Sequence, residues 1–118
     1  MPFPNVIEIE LSSQGSTRLV SVTGEIDMSS VGAVRTAVDA AFADRPETIV
    51  LDISQIEFCD SSGIHLVVTS HRRAQKSRVR FVAVRPAGPA WRAFELCGID
   101  QEVQFVTSPD GAAASSAS

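Results

Sequence analysis

The spacing of hydrophobic and polar residues changes several times along the chain, and each spacing predicts one kind of element. Apolar and polar residues alternate over residues 6–11 and again over 18–23, a period of two that is typical of β-strands with one wet face. A Ser- and Gly-rich turn joins these two segments, which predicts a β-hairpin. Over residues 29–43 the apolar positions recur at helical spacing, which predicts an amphipathic helix capped by Ser29 or Ser30.

The rest of the chain alternates strands with helices. Residues 48–53 are apolar or β-branched at nearly every position, as expected of a central strand covered on both faces. Beyond them the pattern predicts a helix from Ile64 to about residue 74, a strand at 79–84, a helix at 89–96 and a last strand at 103–106. The order ββαβαβαβ predicts an α/β fold, a mixed sheet with helices packed on it.

Length and composition place this fold in one domain. The 118 residues, 44% of them apolar, suffice for a hydrophobic core without metal or disulfide support. We expect the domain to span residues 1–109, followed by a disordered Ala- and Ser-rich tail over 110–118. Cys59 and Cys97 lack the close spacing of a zinc site, and we expect two reduced thiols in the core.

The charge balance argues against one class of partner, nucleic acid. A net charge of −4 and an isoelectric point near 5.0 argue against a nucleic-acid binder, which needs a positive footprint. The sequence shows no signal-peptide pattern and no apolar run long enough to cross a bilayer, so we expect a soluble cytoplasmic protein without a membrane partner.

The charges are also unevenly distributed along the chain. Residues 1–60 carry a net charge of −7 and residues 61–118 a net charge of +3. Seven of the ten bases lie in one acid-free stretch: Arg72, Arg73, Lys76, Arg78, Arg80, Arg85 and Arg92. Two interpretations stay open, a solvated face or a docking patch for an acidic partner.

The turn Asp60-Ser61-Ser62-Gly63 is the most informative segment for function. It joins the end of a buried strand to the start of a helix, which is where ligands and chemistry gather in α/β sheets. The free amides and the dipole of a helix N-terminus favour an anionic group, so a phosphate added here would be accommodated. Capping by Asp60 or Ser61 explains the same residue types without any function, and the two interpretations are compatible. Gly63 indicates a close approach of another surface or a special backbone angle.

A second acidic segment and the search for catalytic motifs say less about function than the Asp60 turn does. Glu25 and Asp27 end the second predicted strand, and a capping or turn role explains them. The chain has no phosphate-binding loop, no nucleophile elbow and no zinc-binding helix. His65 and His71 are six residues apart, which is not the spacing of two ligands on one helix face. We therefore predict no catalytic residue, no metal and no cofactor.

Four segments together resemble a known family. They are Thr-Gly-Glu-Ile-Asp at 23–27, Ile-Val-Leu-Asp-Ile at 49–53, Phe-Cys-Asp-Ser-Ser-Gly-Ile at 58–64 and Phe-Glu-Leu-Cys-Gly-Ile at 94–99. In order and spacing they are similar to a STAS domain of the anti-sigma factor antagonist type, over about residues 5–107.

This resemblance implies a role in bacterial partner switching. The unphosphorylated protein would bind an anti-sigma factor that is also a serine kinase, and so release the sigma factor. In the family the first serine after the aspartate accepts the phosphate, which here is Ser61 rather than Ser62; a phosphatase removes it again. The residues that the resemblance assigns to partner binding are Asp27, Asp60, Ser61, Ser62, Gly63 and His65.

The sequence departs from the family pattern at two positions, and other functions stay open. His65 stands where the turn often has a second glycine, which would alter partner fit or add a pH response. Trp91 stands where a basic residue is usual, either as packing or as an exposed anchor. The alternative functions are a STAS scaffold or sensor module that binds another protein or a small ligand without a phosphorylation cycle, and a small hydrolase using the Ser61–Ser62 turn.

Overall fold

The predicted α/β order is confirmed. The computed structural model describes residues 7–110, so residues 1–6 and the predicted tail from residue 111 onward lie outside the described part. The elements are β1 (Glu8–Gln14), β2 (Thr17–Ile26), α1 (Val31–Ala43), β3 (Thr48–Cys59), α2 (Ser61–Ser77), β4 (Arg80–Val84), α3 (Gly88–Leu96), a 3-10 helix (Ile99–Gln101) and β5 (Phe105–Val106).

The five strands form one mixed sheet in the order β1-β2-β3-β4-β5. β1 and β2 form the predicted antiparallel hairpin, and the remaining neighbours are parallel. β2 and β3 are longer than predicted, because their pairing continues through two register shifts that break the period-two pattern. At one of them the carboxylate of Asp52 accepts hydrogen bonds from the backbone N–H and hydroxyl of Ser54 (3.0 and 2.6 Å). The extension carries β3 up to Cys59, next to the Asp60 turn.

All three helices pack against one face of the sheet. Their buried residues form a single cluster with alternate residues of the strands, among them Val22, Leu51 and Ala83. The intervening residues Val50 and Val82 belong to a smaller cluster on the opposite face. The hydrophobic core therefore lies between the helices and the sheet.

The third helix is fixed by an aromatic cluster. The Trp91 ring contacts Phe105 edge to face, with 4.9 Å between ring centroids, and stacks on Phe94 at 6.3 Å. The guanidinium of Arg85 lies 5.0 Å from the Trp91 ring centroid. Trp91 is thus a packing residue rather than an exposed anchor. Cys97, which follows this helix, is exposed, so the prediction of a core thiol is wrong there; both cysteines are free.

Two arginines end helices in a conformation that normally favours glycine. Arg45 follows α1 with φ 51° and Arg78 follows α2 with φ 58°. A left-handed backbone costs a residue with a side chain about 1–2 kcal/mol. A cation at an exposed helix C-terminus stabilises the helix by only about 0.3–1 kcal/mol. Glycine would adopt the same backbone at these two positions without this steric cost.

Candidate functional site

Two aspartate turns lie side by side at one edge of the sheet. β2 and β3 are parallel neighbours whose last residues, Ile26 and Cys59, are paired. The backbone N–H of Asp60 donates to the carbonyl of Ile26 at 3.0 Å, which ties the two turns together. Asp27 and Asp60 come next in the chain, and the charge of Asp27 acts on the pKa of Asp60. The structure thus brings together two acidic segments that are 33 positions apart in the sequence.

Asp60 is the N-cap of α2, as one of the sequence interpretations predicts. Its Oδ1 accepts hydrogen bonds from the backbone N–H groups of Ser62 (2.9 Å) and Gly63 (3.3 Å) and from the Ser62 hydroxyl. The hydroxyl bond is the main reason that the pKa of Asp60 lies below its ordinary value; burial and the Asp27 charge oppose the shift. Asp60 therefore already occupies two amides of the helix N-terminus, those of Ser62 and Gly63.

The two serines of the turn have different environments. The Ser62 hydroxyl is half-buried and donates to the Asp60 carboxylate. The Ser61 side chain is exposed, and its hydroxyl makes no hydrogen bond to any residue within 7–110. Of the two hydroxyls, only that of Ser61 is free to react without breaking a contact of the cap.

Asp27 organises the second turn in the same manner. Its Oδ1 accepts from the N–H and the hydroxyl of Ser29 (2.9 and 2.6 Å) and from the N–H of Ser30 (3.2 Å). Ser30 is the N-cap of α1 by position, but its side chain makes no capping bond to the helix and donates instead to the Glu25 carbonyl at 2.8 Å. The predicted serine cap is therefore absent, and the carboxylate of Asp27 instead holds the turn that precedes α1.

Gly63 and Cys59 pack closely together beneath the Asp60 turn. A Cβ atom on Gly63 would overlap the Cys59 sulfur and lie 2.8 Å from Cγ2 of Ile26. The expected close approach is therefore made by the protein's own core, in which Gly63 is buried. Burial, followed by the nearby Asp60 charge, raises the pKa of the Cys59 thiol to about 12, so this thiol stays protonated.

Two exposed apolar residues near the ends of β2 and β3 were missed by sequence reasoning. Met28 is 83% exposed and Phe58 is 49% exposed, both at the strand ends that carry the two turns. His65 is exposed and lies one helical turn after Ser61, on the same face of α2. Strand alternation would have placed Phe58 outward beside the buried Cys59, had β3 been predicted at its full length.

The same edge is acidic. Glu25, Asp27, Glu57 and Asp60 belong to the ends of β2 and β3 and their turns, and no Lys or Arg occurs in residues 24–34 or 53–71. A phosphate on Ser61 would therefore add negative charge beside two carboxylates without any neighbouring base in sequence to neutralise it.

The basic stretch between residues 72 and 92 spans α2, β4 and α3 rather than one element. Arg72 pairs with Glu102 at 3.0 Å, and Arg73 pairs with Asp39 at 2.6 Å. These contacts favour the solvated-face interpretation for Arg72 and Arg73.

Within residues 7–110 no group of three or more His, Cys, Asp or Glu side chains is placed to hold a metal ion. No helix in that same part of the chain is long and apolar enough to cross a membrane.

Comparison with known proteins agrees with this geometry. The family model described as "Mlab, STAS domain" matches residues 9–107. The anti-sigma-F factor antagonist RsfB of Mycobacterium tuberculosis (strain ATCC 25618 / H37Rv) is 28% identical over 108 residues, which cover 92% of this chain and 88% of that protein.

Solved structures give the same result. An anti-sigma factor antagonist from Mycobacterium paratuberculosis superposes with a TM-score of 0.87 at 30% identity, covering 98% of this chain and 97% of the other. The anti-sigma factor antagonist SpoIIAA in its unphosphorylated form shares the fold, with a TM-score of 0.75 at 20% identity over 96% of this chain and 98% of its own. The chain therefore belongs to the STAS domain family, in its anti-sigma factor antagonist group.

Proposed function

We propose that this protein is a cytoplasmic, non-enzymatic switch that binds an anti-sigma factor when Ser61 is unmodified. The partner is an anti-sigma factor with serine kinase activity, so its capture releases a sigma factor. The kinase transfers the γ-phosphoryl group of ATP to the Ser61 oxygen, which loses its proton, and ADP leaves. A phosphoserine phosphatase hydrolyses the ester and restores binding.

The contrast between the two serine hydroxyls carries this proposal. Ser61 is exposed with a free hydroxyl, whereas the hydroxyl of Ser62 is held by Asp60. Phosphorylation of Ser62 would remove a bond that caps α2; phosphorylation of Ser61 leaves the cap intact. The fold therefore survives the modification, and the effect falls on the surface.

Electrostatics explains how the phosphate would end binding. A phosphoserine adds about −1.5 to −2 charges, beside the carboxylates of Asp27 and Asp60. A partner surface that fits an uncharged hydroxyl then faces a dianion that must lose its water. A penalty of about 3 kcal/mol, within the range for a buried unpaired charge, weakens binding more than roughly a hundredfold.

The experiment is phosphorylation and binding with an anti-sigma kinase encoded in the same genome. Peptide mass spectrometry after incubation with ATP should place one phosphate on Ser61. Ser61→Ala should bind constitutively and Ser61→Asp should not bind, while the matched Ser62→Ala variant should still be phosphorylated. Equal binding by Ser61→Ala and Ser61→Asp, or phosphate on Ser62 alone, would contradict the switch.

A STAS scaffold without a phosphorylation cycle is the other outcome of the same measurements. In that case Ser61→Asp would leave the main interaction intact, and alanine at Arg72, Arg73 and Trp91 would abolish it. The ion pairs of the two arginines and the packing of Trp91 give no support to that alternative.

A further inference from the structure

A cleft lined by arginines lies at the opposite end of α2 from Ser61. There the C-terminal ends of α1 and α2 border a cleft of about 480 Å³, whose lining includes Phe42, Arg45, Glu47, Arg73, Ser77 and Arg78. A cleft of this volume falls within the range of small-ligand sites.

Two of the three arginines in this cleft have no partner among residues 7–110. Arg73 is engaged, with its guanidinium 4.2 Å from the Phe42 ring centroid and bonded to Asp39. Arg45 and Arg78 are exposed and form neither an ion pair nor a side-chain hydrogen bond with a described residue. The one carboxylate in the lining, that of Glu47, accepts a hydrogen bond from the Ser16 hydroxyl at 2.8 Å.

The backbone at these two arginines gives an independent observation. Both have left-handed φ values, 51° and 58°, at helix ends where glycine is the favoured residue. The attraction of a cation to a helix C-terminus is smaller than the cost of this conformation, and Lys76 already places a cation in the last turn of α2. The stability of the fold therefore does not explain arginine at both positions, and strain of this kind points to function.

We propose that this cleft binds a phosphate monoester, with the guanidinium groups of Arg45 and Arg78 donating hydrogen bonds to its oxygens. The planar fork of a guanidinium matches a phosphate. A monoester carries about −1.5 to −2 charges at neutral pH, which two unpaired arginines balance. A ligand with a single carboxylate would leave one of the two arginines unpaired. The bound phosphate belongs either to a free nucleotide or to a phosphorylated protein side chain.

The test is a titration of the full chain, followed by amide NMR, with inorganic phosphate and then with AMP and a phosphoserine peptide. At constant ionic strength we expect saturable shifts confined to residues 42–47 and 73–79. The tighter of AMP and the peptide identifies the source of the phosphate. Shifts reproduced by sodium chloride at the same ionic strength, or the absence of saturation with all three ligands, would overturn the proposal.

Glycine substitutions separate charge from folding. Arg45→Gly together with Arg78→Gly removes both cations and relieves both left-handed residues, so the variant should fold at least as stably as the parent and bind about tenfold or more weakly. Asn at both positions also tolerates this backbone and should show the same loss of binding. Arg92→Ala, which removes an exposed arginine on α3, should bind like the parent. Unchanged binding by the glycine and asparagine variants would refute the site.

Discussion

Met28 and Ser61 occupy the same position in two adjacent turns of the same kind. Each follows an aspartate whose Oδ1 accepts hydrogen bonds from the backbone N–H and hydroxyl of the serine two residues further on, Ser29 in one turn and Ser62 in the other. Because the strands before the two turns are paired at Ile26 and Cys59, the turns are neighbours. The surface that we propose for the partner thus presents a free hydroxyl beside an exposed apolar side chain.

The cap at Asp60 should contribute measurably to the free energy of unfolding. Asp60→Ala removes the acceptor for two backbone N–H groups and one hydroxyl, and we expect it to lower the free energy of unfolding by about 1–2 kcal/mol. Asp60→Asn keeps a side-chain acceptor and should cost clearly less. Urea denaturation followed by circular dichroism makes the comparison, and equal losses in the two variants would contradict the capping role.

The same carboxylate predicts how stability depends on pH. Hydrogen bonding to Ser62 lowers the pKa of Asp60 in the folded state from its ordinary value of 3.8. The charged form therefore stabilises the fold above pH 3.8, and this contribution is lost as the pH falls through the lowered pKa. The stability difference between the parent and Asp60→Asn should be constant near neutral pH and shrink below 3.8. A difference that stays constant in acid would refute this.

Gly63→Ala should destabilise the protein through overpacking. The new Cβ would meet the Cys59 sulfur and Cγ2 of Ile26, both in the core, so we expect a loss of about 1–3 kcal/mol in the free energy of unfolding. Gly32→Ala is the matched control, because Gly32 lies in helix α1 with nothing within 4 Å of an added Cβ. That change should instead stabilise the protein by about 0.5–1 kcal/mol. Similar effects of both substitutions would argue against close packing of Gly63 on Cys59 and Ile26.

How far the sequence predicts this molecule depends on the kind of signal each part carries. The central strand at 48–53 and the helix at 29–43 have regular periods that follow directly from burial on a sheet, and both are confirmed. The ends of β2 and β3 were missed because register shifts there interrupt the alternation. Because both turns follow strand ends, the sequence places Asp27 and Asp60 at the same end of the sheet; the direct pairing of the strands before them, at Ile26 and Cys59, does not follow from local pattern.

Two details of the site depend on individual contacts rather than on residue type. Asp60 was a predicted cap, but only the geometry distinguishes the engaged hydroxyl of Ser62 from the free hydroxyl of Ser61. Cys97, predicted to be a reduced core thiol, lies just after a short helix and is exposed. Composition predicts the average burial of a residue type, not the burial of one residue.

The two thiols should react at very different rates. Cys97 is exposed, whereas Cys59 is buried with a pKa of about 12, and only the thiolate attacks a disulfide reagent. At neutral pH we expect the folded protein to release one equivalent of chromophore from Ellman's reagent per chain, and the denatured protein two. Cys97→Ser should abolish the reaction of the folded protein. Rapid labelling of Cys59 in that variant would show that the core packing around Cys59 opens readily.

The exposed apolar residues near the ends of β2 and β3 should contribute to partner affinity. Met28→Ser and Phe58→Ser each remove an exposed apolar side chain from the strand ends that carry the two turns, and each should weaken binding of the anti-sigma factor by roughly tenfold. Leu96→Ser is the matched control, because Leu96 is 75% exposed at the end of α3, outside the two turns. Isothermal titration calorimetry with the unphosphorylated variants measures the three affinities, and thermal denaturation verifies that each variant is folded. If Leu96→Ser weakens binding as much as the other two, the contact extends well beyond the two turns; if none of the three does, the partner recognises the acidic and hydroxyl groups alone.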